Sequence, residues 1–339
     1  MNGPRSFNRT KPLLSVVGLT AAGKSSLCLW LAEQLTAEKK AKGVVLISAD
    51  SRQVYQGMEV LTGADIPDEF SVQKSDKLPY QFYKHQSQPF SLHGVSIIYP
   101  SQDWSAAHFR NMAIELIKYS WKYDYLPMVV GGTGFYHQQL FNNDPDIYVK
   151  PNADIRSEAD GMNTNKLQQW LQTVSKSRWQ EMNQSDRSNP RRLIRAIEVS
   201  LALQDPSPRI KTRPKFNQPD HYLQLGLKLP LKKLEPKIKQ RVLHRFTHGA
   251  IQEVEELQRL DLDPSHPAMT AAGVKPISRY LKGELTGQQV ITNWTRQELQ
   301  YAKRQLTWWK KYGQADWFQP DKKDWRQAVK QAAVSGLSL

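Results

Sequence analysis

The sequence predicts an α/β protein, a parallel sheet flanked by helices and carrying a mostly helical insertion. Three observations lead there. Apolar runs of strand length alternate with stretches whose apolar residues recur at helical spacing. A glycine-rich turn joins the first run to the first helix, and a polar stretch at 142–188 interrupts the alternation with several helix-start signals and no buried-strand signal.

The first run, LLSVV at 13–17, is continuous rather than alternating, as expected for a strand covered on both faces. Leu27, Leu31 and Leu35 then share one face of a helix, and VVLIS at 44–48 is a second buried strand. The polar and aromatic segment at about 68–92 reads as a long excursion. Phe109, Met112, Ala113, Leu116 and Ile117 fall at i, i+3, i+4, i+7 and i+8 of a helix that leads into LPMVVGG at 126–132. After the insertion and a Pro-rich basic connector, YLQLGLKL at 222–229 returns to the sheet. A helix follows with Lys237, Lys239, Arg241 and Arg245 set opposite Ile238, Val242 and Phe246. The last long helix, about 286–312, ends in YAKRQLTWWKKYG. The expected layout is a basic disordered tail at 1–12, an α/β core at 13–141, the insertion at 142–188, a second core part at 189–320 with basic C-terminal helices, and a C-terminal tail at 321–339.

Composition narrows the function. In 339 residues, 47 Lys and Arg against 32 Asp and Glu give a formal net charge of +15, which favours polyanionic partners such as nucleic acid. No apolar run approaches the ~20 residues needed to cross a bilayer. The basic N-terminus with Arg5, Arg9 and Lys11 lacks a signal-peptide core, so a cytoplasmic protein is expected. The single cysteine, Cys28, excludes an internal disulfide and a multi-cysteine zinc site. A monomer is the default expectation.

The turn itself, GLTAAGKSSL at 18–27, satisfies G-x-x-x-x-G-K-[ST] through Gly18, Gly23, Lys24 and Ser25, with a strand before and a helix after. Such a loop, running through Thr20, Ala21 and Ala22 to Ser26, converges backbone N–H groups on phosphate oxygens at a helix N-terminus. Lys24 adds charge and Ser25 offers a hydroxyl to Mg²⁺. The core is therefore P-loop NTPase-like. Asp50 ends the second strand, where an open parallel sheet presents ligands. There it holds Mg²⁺, accepts a proton from a nucleophile, or caps a turn.

Taken together, GLTAAGKSS, ISADSRQVYQGM, WSAAHFR, VVGGTGFY, NPRRLIRAIEV, GELT and AKRQLTWW resemble, in order, the motifs of the tRNA dimethylallyltransferases, also called isopentenyltransferases, over residues 14–318. The resemblance implies transfer of a dimethylallyl group from its diphosphate to N6 of the adenosine next to the anticodon, with Mg²⁺ as cofactor and the tRNA anticodon stem-loop as partner. It implies a diphosphate site of Gly18, Thr20, Ala21, Ala22, Gly23, Lys24, Ser25, Ser26 and Arg241, and a catalytic set of Asp50, Thr133 and Lys24. Asp50 serves there as the base for the amine, and Thr133 lies near the reacting centre, with turn packing as its plainer reading.

By the same resemblance RNA contacts fall on Asp50, Ser51, Arg52, Gln53 and Thr133, on Arg191, Arg192 and Arg195, on Gly273 and Lys275, and on Lys303 and Arg304. Arg191 and Arg195 place like charges at i and i+4, which calls for an anion opposite. Trp308 and Trp309 add flat surface, with core packing expected for at least one of them. The chain departs from the family at Leu19, Ala22, Ala64, Asp65 and Val274, and it lacks the zinc module of eukaryotic relatives, so a bacterial-type enzyme is expected. A kinase using ATP on the same loop is the alternative. It accounts for residues 14–50 but not for the basic C-terminal half.

Overall fold

A computed structural model describes residues 10–76, 78–142, 144–204 and 214–339. Most of the expected tail at 1–12, and the part of the basic connector at 205–213, lie outside the described residues. By its contacts the chain forms two units, Met1–Asn142 with Phe216–Leu339, and Asn143–Lys215.

The first unit begins with β1 (Pro12–Gly18), α1 (Lys24–Ala37), β2 (Val44–Ser48), α2 (Glu59–Thr62), β3 (Phe70–Gln73), β4 (Phe82–His85), β5 (Phe90–His93), α3 (Ala106–Lys122), β6 (Leu126–Gly131) and α4 (Gly134–Phe141). The second unit holds a 3₁₀ turn at Pro145–Tyr148, then α5 (Ala153–Ala159), α6 (Thr164–Val174), α7 (Lys176–Glu181), α8 (Gln184–Arg187) and α9 (Pro190–Gln204). The chain returns with β7 (His221–Leu227), α10 (Leu231–Thr247), α11 (Ala250–Arg259), α12 (Val274–Leu281), α13 (Gly287–Tyr312), β8 (Asp316–Phe318) and α14 (Trp325–Leu337).

The eight strands form one sheet in the order β3-β4-β5-β2-β6-β1-β7-β8. From β5 to β8 every pairing is parallel, whereas β3 and β4 add antiparallel at one edge, so the sheet is mixed. That edge is the expected excursion. FSVQ and FSLH alternate apolar with polar residues, as half-solvated strands do, and leave no continuous apolar run. In the centre, β1 and β2 are buried almost throughout, with Leu13, Leu14, Val16, Val44, Val45 and Ile47 fully inaccessible. α1 lays Leu27, Leu31 and Leu35 against β1 and β6, each contributing about 1.5–3 kcal/mol of apolar burial. α13 starts with a capping box in which the Thr286 hydroxyl accepts from the Gln289 N–H, and it packs along α10, α12 and β1.

Three boundaries differ from the sequence reading. The second unit extends past 188, because Leu193, Ala196 and Ile197 of α9 share a separate core with Ile155, Leu167 and Leu171. The stretch 321–339 is not a tail. Val329, Ala333 and Leu337 of α14 are fully buried, and Lys330 pairs with Glu38, the residue that caps the C-terminus of α1, at 2.6 Å. Arg245 leaves the polar face of α10 and is buried beside Leu234, Ile238 and Val242.

Candidate active site

Strand order assembles the site. Because β6 lies between β2 and β1, the turns leaving these three carboxyl ends are neighbours: the loop after β1, Asp50 after β2, and Gly132–Thr133 after β6.

The loop needs its glycines for separate reasons. Gly18 has φ +138°, and a Cβ there would collide with the carbonyl oxygen of Leu227. Gly23 caps α1 with φ +92°, and Ala21 is also left-handed at +57°. Turns of this kind aim successive N–H groups into one concavity. Lys24 folds back over it, its Nζ donating to Leu19 O at 2.8 Å and Gly18 O at 3.2 Å. Burial brings the ammonium down to about 8, opposed by nearby Asp50 and reinforced by Arg241. The Thr20 N–H donates to Gln305 Oε1 at 2.8 Å. Leu19 and Ala22, two of the departures, are buried core contacts. Ser25 and Ser26 are exposed in the first turn of α1, where the Ser26 Oγ accepts from Arg326 of α14 at 3.2 Å. Cys28 is buried, and burial raises its thiol well above the usual range, so it stays protonated.

Asp50 makes the turn of its plainer reading and keeps an oxygen over. Its Oδ1 accepts the Arg52 N–H at 2.8 Å, and Oδ2 takes no part in that turn. Thr133 caps α4, its N–H donating to Ala49 O at 3.4 Å. The surrounding GGTG is packed without slack. A Cβ on Gly131 would strike the Ala49 backbone, one on Gly132 the Gln305 amide, and one on Gly134 the Trp308 ring.

Two of the cations lie one turn apart on α10. Arg241 reaches Asp65 at 3.3 Å, so the carboxylate at this departure holds the arginine assigned to diphosphate. One turn on, Arg245 faces Glu298 at 3.5 Å, and burial, with Arg241 nearby, pulls its pKa below the usual arginine value. Sequence reasoning counted Arg245 as surface charge. The signal against that was its spacing from Ile238 and Val242, seven and three residues after them on the apolar face.

Of the residues assigned to RNA, Ser51 is partly buried, and Arg52 joins the Pro267 carbonyl and the Thr270 hydroxyl, linking 50–53 to the 270–275 stretch. Gln53 is occupied internally, by Ser48 at 3.0 Å and Gly63 O at 2.8 Å. Gly273 caps α12 against the Trp294 ring, Val274 is buried, and Lys275 is exposed. On α13, Lys303 and Arg304 are exposed, Trp309 is core, and Trp308 is partly buried.

The arginines of α9 belong to the second unit and are described within it. Arg191 is exposed, and Arg192 pairs with Asp186. Arg195 spans Glu198 at 3.1 Å and the carbonyls of Asp146 and Val149 at 2.7 Å, which relieves the like-charge pair from within the protein. Burial would raise Glu198, but donors from Arg156, Asn152 and Arg195 hold its carboxyl below the usual range.

Among the described residues no cluster of three or more His, Cys, Asp or Glu could hold a metal, and no helix is long and apolar enough to cross a membrane. Oxygen ligands for Mg²⁺ would come from the exposed Ser25 hydroxyl and from a bound diphosphate. That is a hard-donor set suited to this ion.

A glycine-rich loop of the phosphate-binding pattern, a carboxylate after the next strand and a hydroxyl after the third are the layout of a P-loop group-transfer enzyme. The IPP transferase family model matches residues 53–312, and the chain belongs to that family. Among relatives, the tRNA dimethylallyltransferase of Moorella thermoacetica is 31% identical over 323 residues, covering 93% of this chain and 92% of its own. The crystal structure of the tRNA isopentenylpyrophosphate transferase of Staphylococcus epidermidis superposes with a TM-score of 0.61 at 26% identity, covering 96% and 98% of the two chains. That of Bacillus halodurans gives 0.62 at 25%, covering 97% of each.

Proposed function

We propose that the protein transfers the dimethylallyl group of dimethylallyl diphosphate to N6 of the adenosine 3′-adjacent to the anticodon in tRNA, releasing diphosphate. The observation that carries this reading is the meeting of the loop, Asp50 and Thr133 at adjacent strand ends, in a chain that matches tRNA dimethylallyltransferases along nearly its whole length. The match runs through the basic C-terminal half, which a small-molecule kinase leaves unexplained.

Ionising the allylic C–O bond puts negative charge on the departing diphosphate. Loop N–H groups, Lys24 and Arg241 stabilise charge that develops in the transition state. Arg241 must exchange Asp65 for phosphate as the donor enters. Mg²⁺, held by Ser25 and the diphosphate, would supply further charge neutralisation. The adenine amine is a weak nucleophile because its lone pair is delocalised. Asp50 accepts one N6 proton through Oδ2 as the new C–N bond forms, while Oδ1 stays in its turn. Thr133 donates beside the reacting centre.

The target base must leave its stack, which calls for phosphate and stacking contacts around the site. Asp50–Gln53, Thr133, Gly273, Lys275, Lys303 and Arg304 supply these from the first unit, with Gln53 contributing by supporting its turn. Within the second unit, which we read as the insertion that contacts tRNA, exposed Arg191 and Arg192 offer phosphate contacts of their own, with Arg195 bracing α9. We place the enzyme in the cytoplasm as a monomer.

The test is mass analysis of nucleosides from unmodified tRNA incubated with protein, Mg²⁺ and dimethylallyl diphosphate, with an ATP arm in parallel. Prenylated adenosine at the anticodon-adjacent position supports the assignment. ATP turnover on a small acceptor with no prenylated nucleoside overturns it.

A further inference from the structure

We propose that Gln305, together with Tyr301 one turn before it on α13, is a positioning residue that fixes the donor-side loop to the acceptor-side loop. This rests on the transferase reading above and assigns a role to two residues that neither the motif nor the charge pattern singled out.

Gln305 is 4% exposed, and both ends of its amide are used. Its Oε1 accepts the Thr20 N–H of the phosphate loop at 2.8 Å, and its Nε2 donates to the Gly132 carbonyl at 3.2 Å. Only one orientation of the amide satisfies both partners, since the flipped form would set donor against donor and carbonyl against carbonyl. Gly132 has no room for a Cβ because the Gln305 amide fills that space. Tyr301 completes the clamp, its hydroxyl facing the side chains of Thr133 and Gln305. Burial, with Asp50 nearby, raises the phenol above its usual range, so it remains a neutral donor.

One helix therefore spans the gap between the groups that hold the leaving diphosphate and those that meet the acceptor. Thr20 hangs on the amide oxygen and Gly132 on the amide nitrogen, while the phenol lies beside the Thr133 side chain. Fixing the separation of two reactants is worth large factors in rate, and a displacement of about 1 Å costs on the order of 100-fold. Lys303 and Arg304, exposed on the same helix, do not take part, so of the RNA contacts on the first unit only Thr133 depends on the clamp and tRNA affinity should change little.

The test compares Gln305→Leu and Gln305→Glu with the unmodified protein in single-turnover prenylation of tRNA, tRNA binding and amide hydrogen exchange. Gln305→Leu removes both bonds, so kcat should fall about 100-fold while KM for tRNA stays within about threefold. Exchange at Thr20 should rise about tenfold or more, with the centre of β1 unchanged. Gln305→Glu keeps the acceptor for Thr20, so exchange at Thr20 stays near that of the unmodified protein. Its carboxylate faces the Gly132 carbonyl, and only the protonated acid can donate there, so its activity relative to the unmodified protein should recover as pH falls. A Gln305→Leu protein with kcat within threefold of the unmodified one overturns the proposal. So does a Gln305→Glu pH profile parallel to that of the unmodified protein, or unchanged exchange at Thr20 in Gln305→Leu. If the unmodified protein prenylates nothing, the transferase reading fails, and Thr20 exchange still decides whether the clamp exists.

Discussion

Replacing Asp50 by Asn isolates the proton-accepting role, because the structure separates the two oxygens. The Asn side chain retains Oδ1 as acceptor for the Arg52 N–H, now 2.8 Å away, so the turn and the fold should persist with stability within about 0.5 kcal/mol. What disappears is the anionic acceptor for the N6 proton. General-base loss costs roughly 10²–10⁴-fold, equivalent to about 2.7–5.4 kcal/mol of barrier. A second effect follows from the same charge. Asp50 supports the protonated form of Lys24, which sits at about 8, so the Asn variant pushes the lysine lower still and weakens donor binding first at mildly alkaline pH. Single-turnover prenylation at pH 6.5 with saturating donor separates the two, since low pH and the bound diphosphate both favour the charged form of Lys24. A rate within tenfold of the unmodified enzyme under those conditions refutes the assignment of Asp50 as the base.

Lys24 gives a signed pH prediction of its own. With its proton leaving at about 8 in the ligand-free protein, affinity for inorganic diphosphate should fall as pH rises through 8, and binding above 8 should take up a proton, because the bound anion restores the ammonium. Calorimetry in buffers of different ionisation enthalpy measures that uptake, and Lys24→Arg should show none. Gly18→Ala combines positive-φ strain of about 1–2 kcal/mol with a backbone collision of about 1–3 kcal/mol, so its urea midpoint should fall by the equivalent of about 2–5 kcal/mol; a small shift would mean that β1 and β7 can separate.

Acid stability follows from two histidines. Burial lowers His137 to about 3 and His93 to about 4, so between those values and 6.5 the unfolded chain binds more protons than the folded one. Stability should therefore drop as pH falls below about 6.5, read as a urea midpoint lower at pH 5 than at pH 7, and His93→Phe should shrink the difference. Arg192→Glu reverses an exposed charge and should weaken tRNA binding and flatten its salt dependence; identical affinity and slope would leave Arg192 with only its Asp186 contact.

The central sheet was legible because strands covered on both faces cannot hide: LLSVV, VVLIS and LPMVVG are continuous apolar runs, and each lies within a strand. The edge strands were not, because four half-solvated residues carry little pattern, although FSVQ and FSLH do alternate. α14 was missed for a different reason. Val329, Ala333 and Leu337 recur at helical spacing, but a polar stretch precedes them and no motif marks them. At the site, the places of the glycine turn and of Asp50 could be read from sequence, since each directly follows a strand that is a recognisable apolar run. Partners joined by topology could not. Nothing local in AKRQLTWW says that Gln305 reaches Thr20, or that Tyr301 faces Thr133, because those contacts depend on α13 crossing β1. The same holds for Asp65 on Arg241.

The parallel pairing of β7 with β1, and of β8 with β7, also bears on how the chain matures on the ribosome. β1 leaves the exit tunnel first, yet one of its two neighbours is made only after the whole second unit, and the outer edge of β7 stays open until β8 follows. Nascent chains halted between β7 and β8 would display an unpaired strand edge, a template for misassembly with other copies. The phosphate loop, whose Gly18 rests on Leu227 and whose Thr20 hangs on α13, would acquire its working shape only late in synthesis.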